Sequence, residues 1–109
     1  MMVRFESKAG SGFSMFEKDA KHMLELMGHS GTIPSAIRGE DVAAVLHKFQ
    51  NALQQASQQE NATLKEEEEQ EDNPRRIRVD QRAYPLQQLL EAAAKQKENV
   101  LWHYDNSPL

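Results

Sequence analysis

Val3 and Phe5 alternate with Arg4 and Glu6, and this period of two predicts a half-buried strand over residues 2–7. Ser7-Lys8-Ala9-Gly10-Ser11-Gly12 breaks the alternation and reads as a loop. The period then lengthens. Phe16, Ala20, Met23, Leu24 and Met27 recur at helical spacing, with Lys18, His22 and Glu25 on the opposite side. Ser14-Met15-Phe16-Glu17 fits a capping box, which places the helix start at Ser14, and Gly28 is set to end the helix in a left-handed conformation. Gly31 to Ile37 reads as a turn whose Ile33 and Ile37 plug the core, with Pro34 holding Ile33 extended. A second helix follows Gly39. Glu40 and Asp41 favour its first turn, and Val42, Val45, Leu46, Phe49 and Leu53 form its buried stripe.

Past Leu53 the large apolar residues stop, and the pattern leaves open whether residues 54–74 are helical or disordered. Lys65 to Pro74 is dense in glutamate, so residues 58–74 read as an acidic mobile linker or a fraying helix end. Ile77-Arg78-Val79 predicts a short strand, and Asp80 an N-cap. A third helix then carries Ala83, Leu86, Leu89, Leu90, Ala93 and Ala94. Because proline is comfortable only in a first turn, Pro85 requires that helix to begin near Tyr84 or to bend there. Val100, Trp102 and Tyr104 alternate with Leu101 and His103 in a final strand rich in β-formers.

These elements predict a single α+β domain over residues 1–109. A small sheet of two or three strands, with the N- and C-terminal strands paired antiparallel, is covered on one face by three helices. The face bearing Val3, Phe5, Val100 and Trp102 takes the helices. The open face and free edges of such a sheet make a homodimer, or another protein partner, an expectation.

Composition narrows the choice. The chain has 109 residues, 39% hydrophobic, with no cysteine, which excludes a disulfide framework, a thiolate metal site and a cysteine nucleophile. The net charge of −4 is unevenly spread. Residues 1–59 hold six acids and six bases, residues 60–73 seven acids and one base, and residues 74–109 four acids and six bases. A mildly acidic chain argues against a general nucleic-acid binder. No apolar run reaches membrane-spanning length and the first residues lack the apolar stretch of a signal peptide, so a cytoplasmic protein without membrane association is expected.

Several short stretches occur in order: Val3-Arg4-Phe5-Glu6-Ser7-Lys8-Ala9, Met15-Phe16 before a helix, Leu26-Met27-Gly28, Gly31-Thr32-Ile33-Pro34 and Glu40-Asp41-Val42. Arg82-Ala83-Tyr84-Pro85-Leu86 and Val100-Leu101-Trp102 complete the set. Together they resemble a small bacterial family catalogued as domain of unknown function 1840. The resemblance covers most of the chain outside the acidic stretch. It implies a small bacterial cytoplasmic protein, and it implies no activity, cofactor or functional residue.

Candidate chemistry is sparse. His22 and Glu25 lie one turn apart on a helical face, and His29 joins them if the helix runs on, giving two imidazoles and a carboxylate of the kind that hold zinc. A solvated helix face accounts for the same residues. His47 falls off the apolar stripe of its helix, and His103 has neither a carboxylate partner nor a pocket legible in the sequence. Gly10-Ser11-Gly12 precedes a helix, where phosphate can bind, but it has no Gly-Lys-Ser/Thr ending and reads as a turn. Arg75, Arg76, Arg78 and Arg82 form a basic cluster that could meet RNA or pair with the neighbouring glutamates. Met15, Met23 and Met27 are explained by core packing.

The functional expectation is a non-enzymatic protein-interaction or structural module with no cofactor. Its interface is the open sheet face or edge, Leu101 and His103 among the candidates. The alternatives are a small metal-dependent or acid–base enzyme using His22, Glu25 and His29, and RNA binding through Arg75–Arg82.

Overall fold

A computed structural model describes residues 1–67 and 79–105. The chain runs β1 (Met2–Ser7), β2 (Gly10–Phe16), α1 (Glu17–Leu26), β3 (Ser35–Ile37), α2 (Val42–Glu67), α3 (Val79–Gln96) and β4 (Val100–Asp105). The strands form one sheet in the order β2-β1-β4-β3, antiparallel throughout. The terminal strands do pair, with Met2 opposite Asp105 and Phe5 opposite Trp102. The sheet has four strands rather than the two or three expected, and the two additional strands are β2 and β3.

β2 replaces the expected loop and capping box. Phe13 and Met15 point to the core, while Gly12, Ser14 and Phe16 point away, so the segment has the period of a strand. Ser14 does not cap α1. Phe16 occupies the N-cap position in extended conformation, with no side-chain cap bond, and it is 66% exposed instead of joining the helix stripe. Ile77-Arg78-Val79 adds no strand among the described residues: Val79 is helical, and residues 77 and 78 lie outside them. Asp80 sits within α3 rather than ahead of it. Pro85 is inside that helix, whose described start precedes Tyr84 by more than a turn. α2 reaches Glu67, so residues 58–67 are helical, and residues 68–74 of the acidic segment lie outside the described part.

The core follows the two periods. Val3, Phe5, Val100 and Trp102 face the helices from the sheet and are essentially fully buried. Ala20, Met23, Leu24 and Met27 of α1 and its terminus close over them, with Ala83, Leu86, Leu89, Leu90 and Ala93 of α3. α2 lies along α3 and α1 and contributes Val42, Phe49 and Leu53. Phe5 organises the centre, stacked on Phe13 at 5.2 Å between ring centroids and tilted against Trp102 at 5.9 Å. The Trp102 indole donates to the carbonyl of Thr32 at 2.9 Å, which gives its buried N–H a partner and ties the loop before β3 to the core.

Both sheet-packing helices end in the same kind of turn. At the end of α1 the Gly28 amide donates to Glu25 and the His29 amide to Leu24, each at 2.9 Å, with Gly28 at φ +77°. At the end of α3 the Lys97 amide donates to Ala94 and the Glu98 amide to Ala93, with Lys97 at φ +55°. These are Schellman closures, which need a left-handed residue after the helix. Glycine supplies it once, as the sequence suggests, and lysine the second time.

Candidate interaction surface

The helices cover one face of the sheet and, among the described residues, leave the other open. Strand alternation sets what that open face displays. Met2, Arg4 and Glu6 come from β1, Leu101, His103 and Asp105 from β4, and Gly12, Ser14 and Phe16 from β2. Arg4 lies between Ser14 on one side and His103 on the other, so these three side chains share one row across the sheet.

The polar residues of this face form a connected set. Arg4 donates from Nε to Oε1 of Glu6 at 2.8 Å. His103 Nε2 lies 3.4 Å from the other oxygen of Glu6, and its Nδ1 donates to the carbonyl of Tyr104 at 3.1 Å. Ser14 donates from Oγ to Asp105 Oδ2 at 3.1 Å, reaching across β1. The Arg4 guanidinium, with His103 second, holds the Glu6 carboxyl below its ordinary value. His103 is raised, first by its bond to the Tyr104 carbonyl and further by Glu6, against partial desolvation. Beside the face, the Tyr104 hydroxyl donates to Glu17, lowering that carboxyl and raising the phenol.

At one end of the face is an open depression of about 390 Å³, lined by Arg4, Glu6, Lys8, Glu98, Asn99 and Leu101 among others. Its charges alternate in sign. Glu6 and Glu98 both line it, Glu6 bonded to Arg4, and it opens to solvent. The arrangement suits recognition of a mixed polar and apolar surface. Leu101, 39% exposed, is its apolar centre.

The other sequence candidates lie elsewhere. His22 and Glu25 are on α1, and His29 lies past the helix end. The His29 ring packs edge-on against Trp102 at 4.9 Å, its Nδ1 accepts from the Gly31 amide at 3.2 Å, and its Nε2 is 3.4 Å from Ser35 Oγ. It therefore serves the loop before β3. Among the described residues no group of three or more His, Cys, Asp or Glu is placed to hold a metal ion. His47 is exposed on α2 and pairs with Asn51 at 3.3 Å. Arg82 joins Asp19 of α1 at 3.1 Å across the helix layer, while Arg75, Arg76 and Arg78 lie outside the described residues. Gly10-Ser11-Gly12 is strand, not a phosphate cradle: the space at Gly12 is taken by the Phe5 carbonyl, 2.8 Å from where a Cβ would stand, and by Arg4, whose Nη2 is 3.0 Å away.

Sequence reasoning located Leu101 and His103 but missed Arg4, Glu6, Ser14 and Asp105. The alternation of β1 already placed Arg4 and Glu6 on the face away from the core, and the missing information was the register that sets them against His103.

The family model described as Domain of unknown function (DUF1840) matches residues 1–102. The chain belongs to this family. No curated protein and no solved structure matches it. The DUF1840 match spans β1 through the first half of β4, and so takes in most of the open face as well as the helices beneath it. No described helix of this DUF1840 chain is long and apolar enough to cross a membrane.

Proposed function

We propose that this DUF1840 protein works by binding another protein on the open face of its sheet. The observation that carries this reading is the face itself. Leu101 stands exposed beside the Arg4–Glu6–His103 set, on the side of the sheet that no described helix covers. An apolar centre rimmed by charges of both signs is the usual composition of a reversible protein interface. The cationic and anionic groups are already aligned by bonds to one another, so little ordering cost falls on binding. The proposed setting is the bacterial cytoplasm, which the family resemblance implies.

A photo-crosslinking residue placed at Leu101, with a second at exposed His47 on the helical side as control, tests the reading in cells. Capture of a defined protein from position 101 and not from 47, abolished by Arg4→Glu with the circular dichroism spectrum unchanged, is the expected result. Equal capture from both positions would count against it, as would survival of capture in Arg4→Glu.

A further inference from the structure

The two edges of the sheet are unlike. β3 is three residues long, preceded by Pro34 and followed by Arg38, which are standard protections against edge pairing. β2 is seven residues long, Gly10-Ser11-Gly12-Phe13-Ser14-Met15-Phe16, and contains neither a charge nor a proline. Its pairing with β1 shifts register between Phe5 and Ser7, which leaves Phe13–Phe16 as the regular, unprotected part of the edge. It bonds to β1 on one side and stands last in the sheet among the described residues.

The backbone groups that β2 offers can be identified. Glu17 donates its amide to the Met1 carbonyl at 2.9 Å, which continues the β1–β2 register by one pair. Hydrogen-bonded pairs alternate along an antiparallel ladder. Val3 with Met15 and Phe5 with Phe13 are therefore the bonded pairs, and the amides and carbonyls of Ser14 and Phe16 point to the free edge; the series ends at the register shift between Phe5 and Ser7.

We infer that two copies of this chain join through β2, antiparallel about a two-fold axis, with Ser14 opposite its counterpart in the second copy. That register sets the regular part of the strand, Phe13–Phe16, against its own copy: Ser14 meets Ser14, Phe13 meets Met15, and Phe16 reaches the neighbourhood of Gly12. It also gives the exposed Phe16 a place. The ring lies over a residue with no side chain, beside the Arg4 guanidinium that covers Gly12, a contact of aromatic face with cation. On the core side Phe13 meets Met15, and both are only half-buried within one copy. The axis stands normal to the sheet, so both helix layers fall on the same side and the open faces form one continuous surface. Because no charged residue lies between Gly10 and Phe16, the strand meets no like charge in its own copy. Edge pairing goes beyond the face reading: it rests on the backbone edge of β2 and shares with the face only Arg4 and the side chains of that strand, and either can hold without the other.

Sedimentation equilibrium of the full chain over micromolar to high-micromolar concentration is the first measurement, and twice the chain mass is expected. Ser14→Pro removes an amide that points away from β1, so the fold should persist by circular dichroism while dimer affinity falls roughly tenfold or more, the loss of two symmetry-related bonds. The chain has no cysteine, so one introduced thiol reports the register. Ser14→Cys is expected to be joined between copies by a short bifunctional thiol reagent, because the two thiols face each other across the axis at a hydrogen-bonded pair, slightly too wide for a direct disulfide, and Ala36→Cys on the β3 edge is not. A monomer at all concentrations overturns the inference. A folded Ser14→Pro variant that stays dimeric, or a dimer in which Ser14→Cys does not cross-link, overturns it as well.

Discussion

Glu6 accepts from Arg4 with one carboxylate oxygen, and the other lies 3.4 Å from His103, so a single acid joins cations from the two central strands. The sign of each titration follows. His103 has a raised value when folded, so its stabilising contribution is complete below the ordinary value of 6.5 and is lost as pH rises through the raised one. Glu6 is lowered, so its contribution is complete above 4.5 and is lost as pH falls through the lowered value. The pair is strongest between those limits. In Glu6→Gln the His103 titration, followed by imidazole proton NMR, should move down but remain above its ordinary value, because the Tyr104 carbonyl still accepts from Nδ1. No movement at all would show that the carboxylate does not reach the ring in solution.

Gly39 donates its amide to Asn99 Oδ1 at 2.7 Å, and a Cβ on Gly39 would run into the Lys97 carbonyl, which is backbone and cannot step aside. The junction before α2 thus sits against the turn before β4. Gly39→Ala is expected to destabilise by about 3 kcal/mol through steric displacement, and Asn99→Ala by about 1–2 kcal/mol through an unpaired amide. Urea denaturation midpoints give both, and the glycine variant should be the worse.

Lysine at a left-handed helix terminus stores strain that glycine lacks. Lys97→Gly should stabilise the chain by up to about 1 kcal/mol. The mirror change at α1, Gly28→Ala, should destabilise by about 1–2 kcal/mol, since its φ is +77° and the added carbon would meet Lys48 Cδ at 2.8 Å. Thermal melts of the two variants should shift in opposite directions.

Trp102 combines a buried ring with a bonded indole N–H. Trp102→Phe removes the donor to Thr32 and part of the packing against Phe5 and His29. A loss of about 2–3 kcal/mol is expected, together with faster amide exchange in the loop from Ser30 to Pro34 that the indole holds.

The elements that the sequence disclosed are those whose apolar period repeats without competition. β1, the Ala20–Met27 stripe of α1, the α2 stripe and β4 are of this kind. β2 was hidden by two signals with other meanings. Gly10 and Gly12 argue for a turn, and Ser14 three residues before Glu17 imitates a capping box. In the fold Gly12 is useful in a strand because the Phe5 carbonyl and Arg4 crowd the place of its Cβ, and that fact depends on strand pairing. β3 is too short to carry a period at all, and its pairing is decided by the Trp102 bond and by Ile37 entering the core. Pro85 left two readings open, a start near Tyr84 or a bend there, and the first is excluded because the helix continues toward its N-terminus with Val79 and Ala83 buried. The polar face followed the same rule. Its members were visible one by one, and only the β1–β4 register, which no local pattern encodes, brought Glu6 to His103.

The central position of β1 and β4 has a consequence for how the protein is made. Met2 sits across from Asp105, so the middle of the sheet joins two strands separated by nearly the whole domain, and β1 is synthesised well before β4. Until β4 has been made, the β1–β2 hairpin waits with its inner side unpaired and Phe5 lacks its Trp102 neighbour. Closure of the sheet is therefore a late, long-range step, and the waiting strand side is the one a chaperone would have to shield.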